Sequence, residues 1–121
     1  MRRMSFALTT GQVRRQEKTV TRRMGWLFLN PGDLVQPVVK GMGLAKGQKH
    51  EKIGGPIRVK SVRRTFIAEV GNGAYADDLA REGFPDMRQA EFIGMFCKAN
   101  RCKAGDLCTR IEFEYMETNG G

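Results

Sequence analysis

From Thr109 to Tyr115 the chain alternates without a break. Thr109, Ile111, Phe113 and Tyr115 take every second position, and Arg110, Glu112 and Glu114 stand between them. A period of two puts one set on each side of a strand. This segment therefore belongs in a sheet with one buried and one wet face, and it needs partner strands from elsewhere in the chain.

Partners are found upstream. Ser5–Thr9 reads as a strand, and Thr10 is placed to cap a short helix running to Glu17. The β-branched stretch Thr19-Val20-Thr21 returns to strand. An apolar block, Gly25–Leu29, meets the turn signal Asn30-Pro31-Gly32-Asp33. Leu34–Val39 follows as a strand whose Pro37 points to an edge or a bulge. Residues 40–55 are rich in Gly and Lys and predict an exposed loop. Ile57–Val62 is a strand with Ile57, Val59 and Ser61 on one face. A short helix over Ala76–Glu82 is closed by Gly83. A longer one, capped by Asp86 with Gln89 as its reciprocal partner, runs to about Asn100 with Ala90, Ile93 and Cys97 on one stripe. Strands interleaved with two or three short helices predict an α+β fold of one domain spanning residues 1–121, with its core at about 4–116.

Charge narrows the partner. The formal net charge is +8 over 121 residues, and it is uneven. Residues 1–64 hold fifteen Lys/Arg and three Asp/Glu, or +12; residues 65–121 hold six and ten, or −4. A basic half of this kind suits a polyanion. No apolar run approaches the roughly 20 residues of a membrane span. The apolar stretch after Arg2 and Arg3 is too short for a secretory signal, so a cytoplasmic location is expected. Cys97, Cys102 and Cys108 are an odd number, spaced unlike zinc ligands, and His50 is remote from them; reduced thiols and no metal or cofactor are expected.

One stretch carries candidate chemistry, Gln16-Glu17-Lys18-Thr19-Val20-Thr21-Arg22-Arg23. In a strand, Thr19, Thr21 and Arg23 share a face, and Lys18 at the corner can lean over it. An amine, a hydroxyl and a guanidinium then converge. An ordinary basic strand edge with solvated charges has the same spacing.

This stretch resembles the signature of the ASCH family, Gly-x-Lys-x-x-Glu-x-Arg. Lys18 and Arg23 fall on its Lys and Arg, Gln16 stands for the Gly, and Thr21 for the Glu. The turn Asn30–Leu34, the basic strand ending Ser61-Val62-Arg63-Arg64, the segment Ala80–Phe84 and the final strand follow in the family's order, from about Met4 to Tyr115. The version is one common in bacteria and phages. The resemblance implies a PUA-like small β-barrel of five to six strands with a cleft beside the signature. Thr in place of Glu is similar to the small ASCH enzymes that hydrolyse the acetamide of N4-acetylcytidine with a Lys, a Thr and a Glu. It implies Lys18, Thr21 and Glu82 as catalytic residues, Glu82 by its place after the short helix.

Three functions follow as expectations. The first is a domain that binds RNA or a modified nucleoside in a basic cleft, using Arg22, Arg23, Lys40, Lys46, Lys49, Arg63 and Arg64, with Trp26 for stacking. The alternative is a metal-independent amidohydrolase acting on N4-acetylcytidine or a similar acylated nucleoside. The third is a phage or host protein-interaction module.

Overall fold

The computed structural model describes residues 1–40 and 47–116. Five strands form one mixed sheet: β1 (Arg2–Ser5), β2 (Val20–Arg23), β3 (Leu34–Val38), β4 (Ile57–Phe66) and β5 (Leu107–Tyr115). Their order is β1-β3-β4-β5-β2. β1 runs parallel to β3, and the other ladders are antiparallel. Three helices accompany them: α1 (Thr10–Arg14), α2 (Asp78–Arg81) and α3 (Gln89–Asn100). The α+β expectation and the strand number agree with this architecture. The closed barrel does not: β1 and β2 are the two edges, and among the described residues no ladder joins them.

The alternation of β5 organises both layers. Ile111 and Phe113 bury into a first core with Met4, Phe6, Val13, Leu29, Val35, Ile57 and Val59. The opposite face, expected to be wet, is covered over its first half. Cys108 enters a second core with Ile67, Val70, Phe92 and Phe96, and Arg110 is buried with it. Only toward Glu114, which pairs with Arg58 at the surface, does the alternation read as it does in sequence.

Local differences have local causes. The first strand comes earlier than expected, at Arg2–Ser5, because Phe6 leaves extended geometry at ψ 46° and starts a 3₁₀ turn over Ala7–Thr9. Pro37 lies in an inner strand, not an edge. It is tolerated because the β4 ladder covers only Leu34 and Val35, so no strand requires its missing N–H. A bulge between Val59 and Ser61 shifts the β4 register, so Val62, not Ser61, lies opposite Ile111. The helix α3 starts at Arg88, whose N–H donates to Glu91 Oε1 at 3.2 Å, and not at Asp86. Its buried stripe is Phe92 and Phe96, which stack at 6.1 Å, with Ile93 and Cys97 partly buried and Ala90 exposed. No helix among the described residues is long and apolar enough to cross a membrane.

Candidate functional site

The gap left by the open sheet is a cleft of about 200 Å³. The end of β1 and the following turn, Ser5–Thr9, form one wall, and Lys18 and Thr21–Arg23 of the other edge form the next. Phe84, Phe92, Met95 and Phe96 supply an apolar side. Drug-sized ligand clefts enclose roughly 300–1,000 Å³, so this one suits a small ligand.

Glu82 reaches the cleft because of how α2 ends. Gly83 takes a φ of +102°, which a residue with a Cβ rarely adopts, and so stops the helix directly after Glu82. The last carbonyls of a helix lack internal partners. Here the chain entering β2 supplies them: Thr19 N–H donates to the Arg81 carbonyl at 2.8 Å, and Lys18 Nζ donates to the Glu82 carbonyl at 2.6 Å. Gln12 Nε2 adds a bond to the Gly83 carbonyl at 3.2 Å. Tyr115 Oη fixes the Lys18 backbone by donating to its carbonyl at 2.6 Å. Burial pushes the Tyr115 phenol up to about 12, with the Glu17 charge adding to it, so it stays a donor at neutral pH.

The charged groups form a continuous buried row. Lys18 Nζ lies 2.8 Å from Glu82 Oε1, and Arg22 Nη1 lies 3.0 Å from Glu82 Oε2. Arg22 Nη2 meets Asp78 Oδ2 at 2.6 Å, and Arg110 grips Asp78 through Nε at 2.7 Å and Nη2 at 3.0 Å. Lys18, Glu82, Arg22 and Asp78 are each no more than 3% exposed. Burial is the largest influence on Lys18 and lowers its pKa. Glu82 opposes that shift, while Arg23 and Arg22 reinforce it. For Asp78, burial alone favours the neutral acid, but hydrogen bonds from Arg110 and Arg22 outweigh it and hold the carboxyl below its ordinary value.

Thr21 is also buried, on the β2 face opposite to Arg22. Its Oγ1 accepts a hydrogen bond from Arg23 Nε at 3.1 Å, which leaves its own proton free to be given away. The Arg23 guanidinium stands 4.7 Å from the centre of the Phe6 ring. Burial lowers its pKa to about 10 against the pull of Glu82, so it is still a cation at neutral pH.

The sequence-derived residues thus divide. Lys18, Thr21, Arg23 and Glu82 line one cleft. Arg22 touches it too, but as a ligand holder it is a correction: its side chain is fully buried, and both terminal nitrogens are taken by carboxylates. Lys40 and Lys49 are exposed around a separate shallow hollow with Glu51. Arg63 and Arg64 are exposed on β4, and Arg64 Nη1 donates to Thr109 Oγ1 at 3.2 Å. Trp26 packs against the first core and lies tilted against Phe28, ring centres 5.2 Å apart, outside the cleft. Lys46 lies outside the described residues. Cys97, Cys102 and Cys108 are free thiols.

Sequence reasoning missed Asp78 and Arg110. Asp78 opens a four-residue helix, where an acidic residue is ordinary, and Arg110 sits in the set taken for a wet face. Nothing local to either marks the other, 32 residues away. The apolar side of the cleft was missed as well: the stripe was expected at Ala90, Ile93 and Cys97, although Phe92 and Phe96, four apart on the same helix, carried the signal. No family model, no curated protein and no solved structure matches this chain.

Proposed function

We propose that the protein is an ASCH-type, PUA-like domain whose cleft takes a small acylated nucleoside, N4-acetylcytidine or a close analogue, and hydrolyses its amide. The observation that carries this reading is the Lys18–Glu82 pair, buried at 2.8 Å in the same narrow cleft as Thr21. A site built only to hold phosphate would keep its lysine solvated and charged. This one desolvates the amine and holds it against a carboxylate.

In the neutral amine, the two N–H bonds are spent on the Glu82 carbonyl and Oε1. The lone pair is then the position left to accept a proton. The Thr21 Oγ–H bond breaks as Oγ bonds to the acyl carbon, and the proton passes to Lys18. Arg23 is the cation in place for the charge that forms on the carbonyl oxygen. When the C–N bond breaks, the proton returns through the Lys18–Glu82 pair to the leaving nitrogen. Water positioned by Glu82 then attacks the acyl-threonine: its oxygen bonds to the acyl carbon, the carbon–Oγ bond breaks, and a proton passes from the water through Lys18 to Oγ, which releases the carboxylic acid and restores Thr21. The sum is amide plus water giving acid plus amine. The apolar side, Phe84, Phe92 and Phe96, suits the face of a base and excludes bulk water.

Purified protein incubated with N4-acetylcytidine tests this by acetate release. Turnover abolished by Lys18→Ala supports it; no acetate from any of a panel of acylated nucleosides overturns it.

A second reading, binding of RNA without catalysis, is favoured by the cations outside the cleft. Arg2, Arg3, Arg14, Arg15, Arg63 and Arg64 are all exposed. RNA affinity that falls steeply with salt, in a protein releasing no acetate, would select it.

A further inference from the structure

Five buried charged side chains alternate in sign across α2 and its C-cap, β2 and the turn entering it, and β5: Lys18, Glu82, Arg22, Asp78, Arg110. With Lys18 as ammonium the row holds three cations and two anions. With Lys18 as amine it holds two of each and is neutral. In a buried site a balanced row is strongly preferred to one with an uncompensated charge.

Stability gives little reason for such a row. Buried ion pairs of this kind are often no better than apolar residues of equal volume. Arg22 Nε is buried with no hydrogen-bond partner among the described residues, a further cost to folding. The guanidinium is held only by its two terminal nitrogens, one on each carboxylate. That makes Arg22 a bridge whose share for Glu82 depends on how much of it Asp78 claims. Arg110 in turn sets how much of Asp78 is left to claim it. Tyr75 closes the far end, its ring centre 4.8 Å from the Arg110 guanidinium and 5.5 Å from that of Arg22.

We infer that Asp78 and Arg110 are positioning residues that set the charge state of Lys18 from outside the cleft, through the Arg22–Glu82 bridge. The charged groups facing Lys18 are Glu82 behind α2 and Arg22 and Arg23 on β2, with the Tyr115 hydroxyl on its carbonyl. The α3 wall and the Ser5–Thr9 turn present only uncharged side chains. The bridge is thus the route by which a remote substitution reaches the amine. Without the Asp78 charge, Arg22 turns wholly to Glu82, neutralises it, and favours the Lys18 amine. Without the Arg110 charge, Asp78 draws Arg22 away, and Glu82 favours the Lys18 ammonium.

The inference deepens the reading of Lys18 as proton acceptor, and its test needs no substrate. Protein carrying isotope-labelled lysine is titrated by NMR, the Lys18 signal being the one lost in Lys18→Arg. Asp78→Asn should move the Lys18 midpoint to lower pH and Arg110→Gln to higher pH, while Arg110→Lys, which keeps the charge, stays near the parent. A general loosening of the site would move all three the same way, and that result overturns the inference, as does an unmoved midpoint. If Asp78→Asn does not fold, the contrast between Arg110→Gln and Arg110→Lys decides alone. Opposite shifts in a protein that hydrolyses nothing would sink the hydrolase reading only; hydrolysis without the shifts would sink only the inference.

Discussion

Lys18 donates to Glu82 twice, to the side-chain carboxylate at 2.8 Å and to the main-chain carbonyl at 2.6 Å. The two residues are 64 positions apart and are brought together by one helix end. Glu82 is where α2 stops, and Lys18 is where the chain turns into β2. One residue therefore acts as both a structural C-cap and the candidate base. Lys18→Met should separate the roles. Acetamide cleavage should fall by roughly 10²–10⁴-fold, the usual range for a lost acid–base group. Stability should fall by about 3 kcal/mol or less, because Arg22 still holds Glu82. Urea denaturation beside the activity assay checks both.

Thr21 offers a cleaner separation. Among the described residues its hydroxyl bonds only to Arg23, which is partly exposed and can turn to water. Thr21→Val keeps the shape and removes the proposed nucleophile, so activity should vanish while the denaturation midpoint moves little. Thr21→Ser should keep a measurable rate. Mass spectrometry of rapidly quenched parent protein should find a peptide bearing Thr21 heavier by one acyl group, and the Val variant should show none.

The pH response follows from two groups that folding shifts in the same direction. Asp78 lies below its ordinary 3.8 when folded, so its stabilisation is present above that value and is lost as pH falls through the folded value. Asp78→Asn should flatten the acid side of the stability curve. Lys18 lies below its ordinary 10.5 when folded. Below its folded value, the native state carries the whole cost of a buried ammonium. As pH rises from the folded value toward 10.5, that cost is relieved. Stability should therefore rise across that window, and Lys18→Met should lose the rise. On the proposed mechanism, in which Lys18 acts as the amine, activity should climb over the same lower limb.

Gly83 ends α2 beside the site. A Cβ there would meet Gln12 Cγ at 2.9 Å, at a φ of +102° that already strains any other residue. Gly83→Ala should cost about 1–3 kcal/mol and lower activity further than a loss of folded protein explains, because Glu82 is its neighbour. Thermal denaturation with rates normalised to folded fraction measures this.

The fold was legible where the pattern was local and periodic. The β5 alternation, the turn before β3 and the Gly83 stop all stand in the structure close to where the residues put them. Failures came where distant residues decide. Arg110 looked solvent-facing because a period of two reports which side a residue takes, not what covers that side. Arg22 looked like a free cation because its partners, Asp78 and Glu82, lie 56 and 60 residues on. A single bulge at Lys60 exchanged Val62 for Ser61, and a period carries no notice of an inserted residue. Of the candidate site, Lys18 and Thr21 came from the signature stretch and Glu82 from its order along the chain. Asp78 and Arg110, which complete the buried row beyond Arg22, had no sequence mark.

The most direct measurement is acetate release from N4-acetylcytidine by the parent protein in the presence of chelator, run beside Lys18→Ala and Thr21→Val. Chelator-insensitive turnover by the parent is expected, with a fall of at least about 10²-fold in Lys18→Ala and loss of it in Thr21→Val. Turnover near the parent rate in either variant, or none from the parent on any acylated nucleoside, would contradict the proposed hydrolysis.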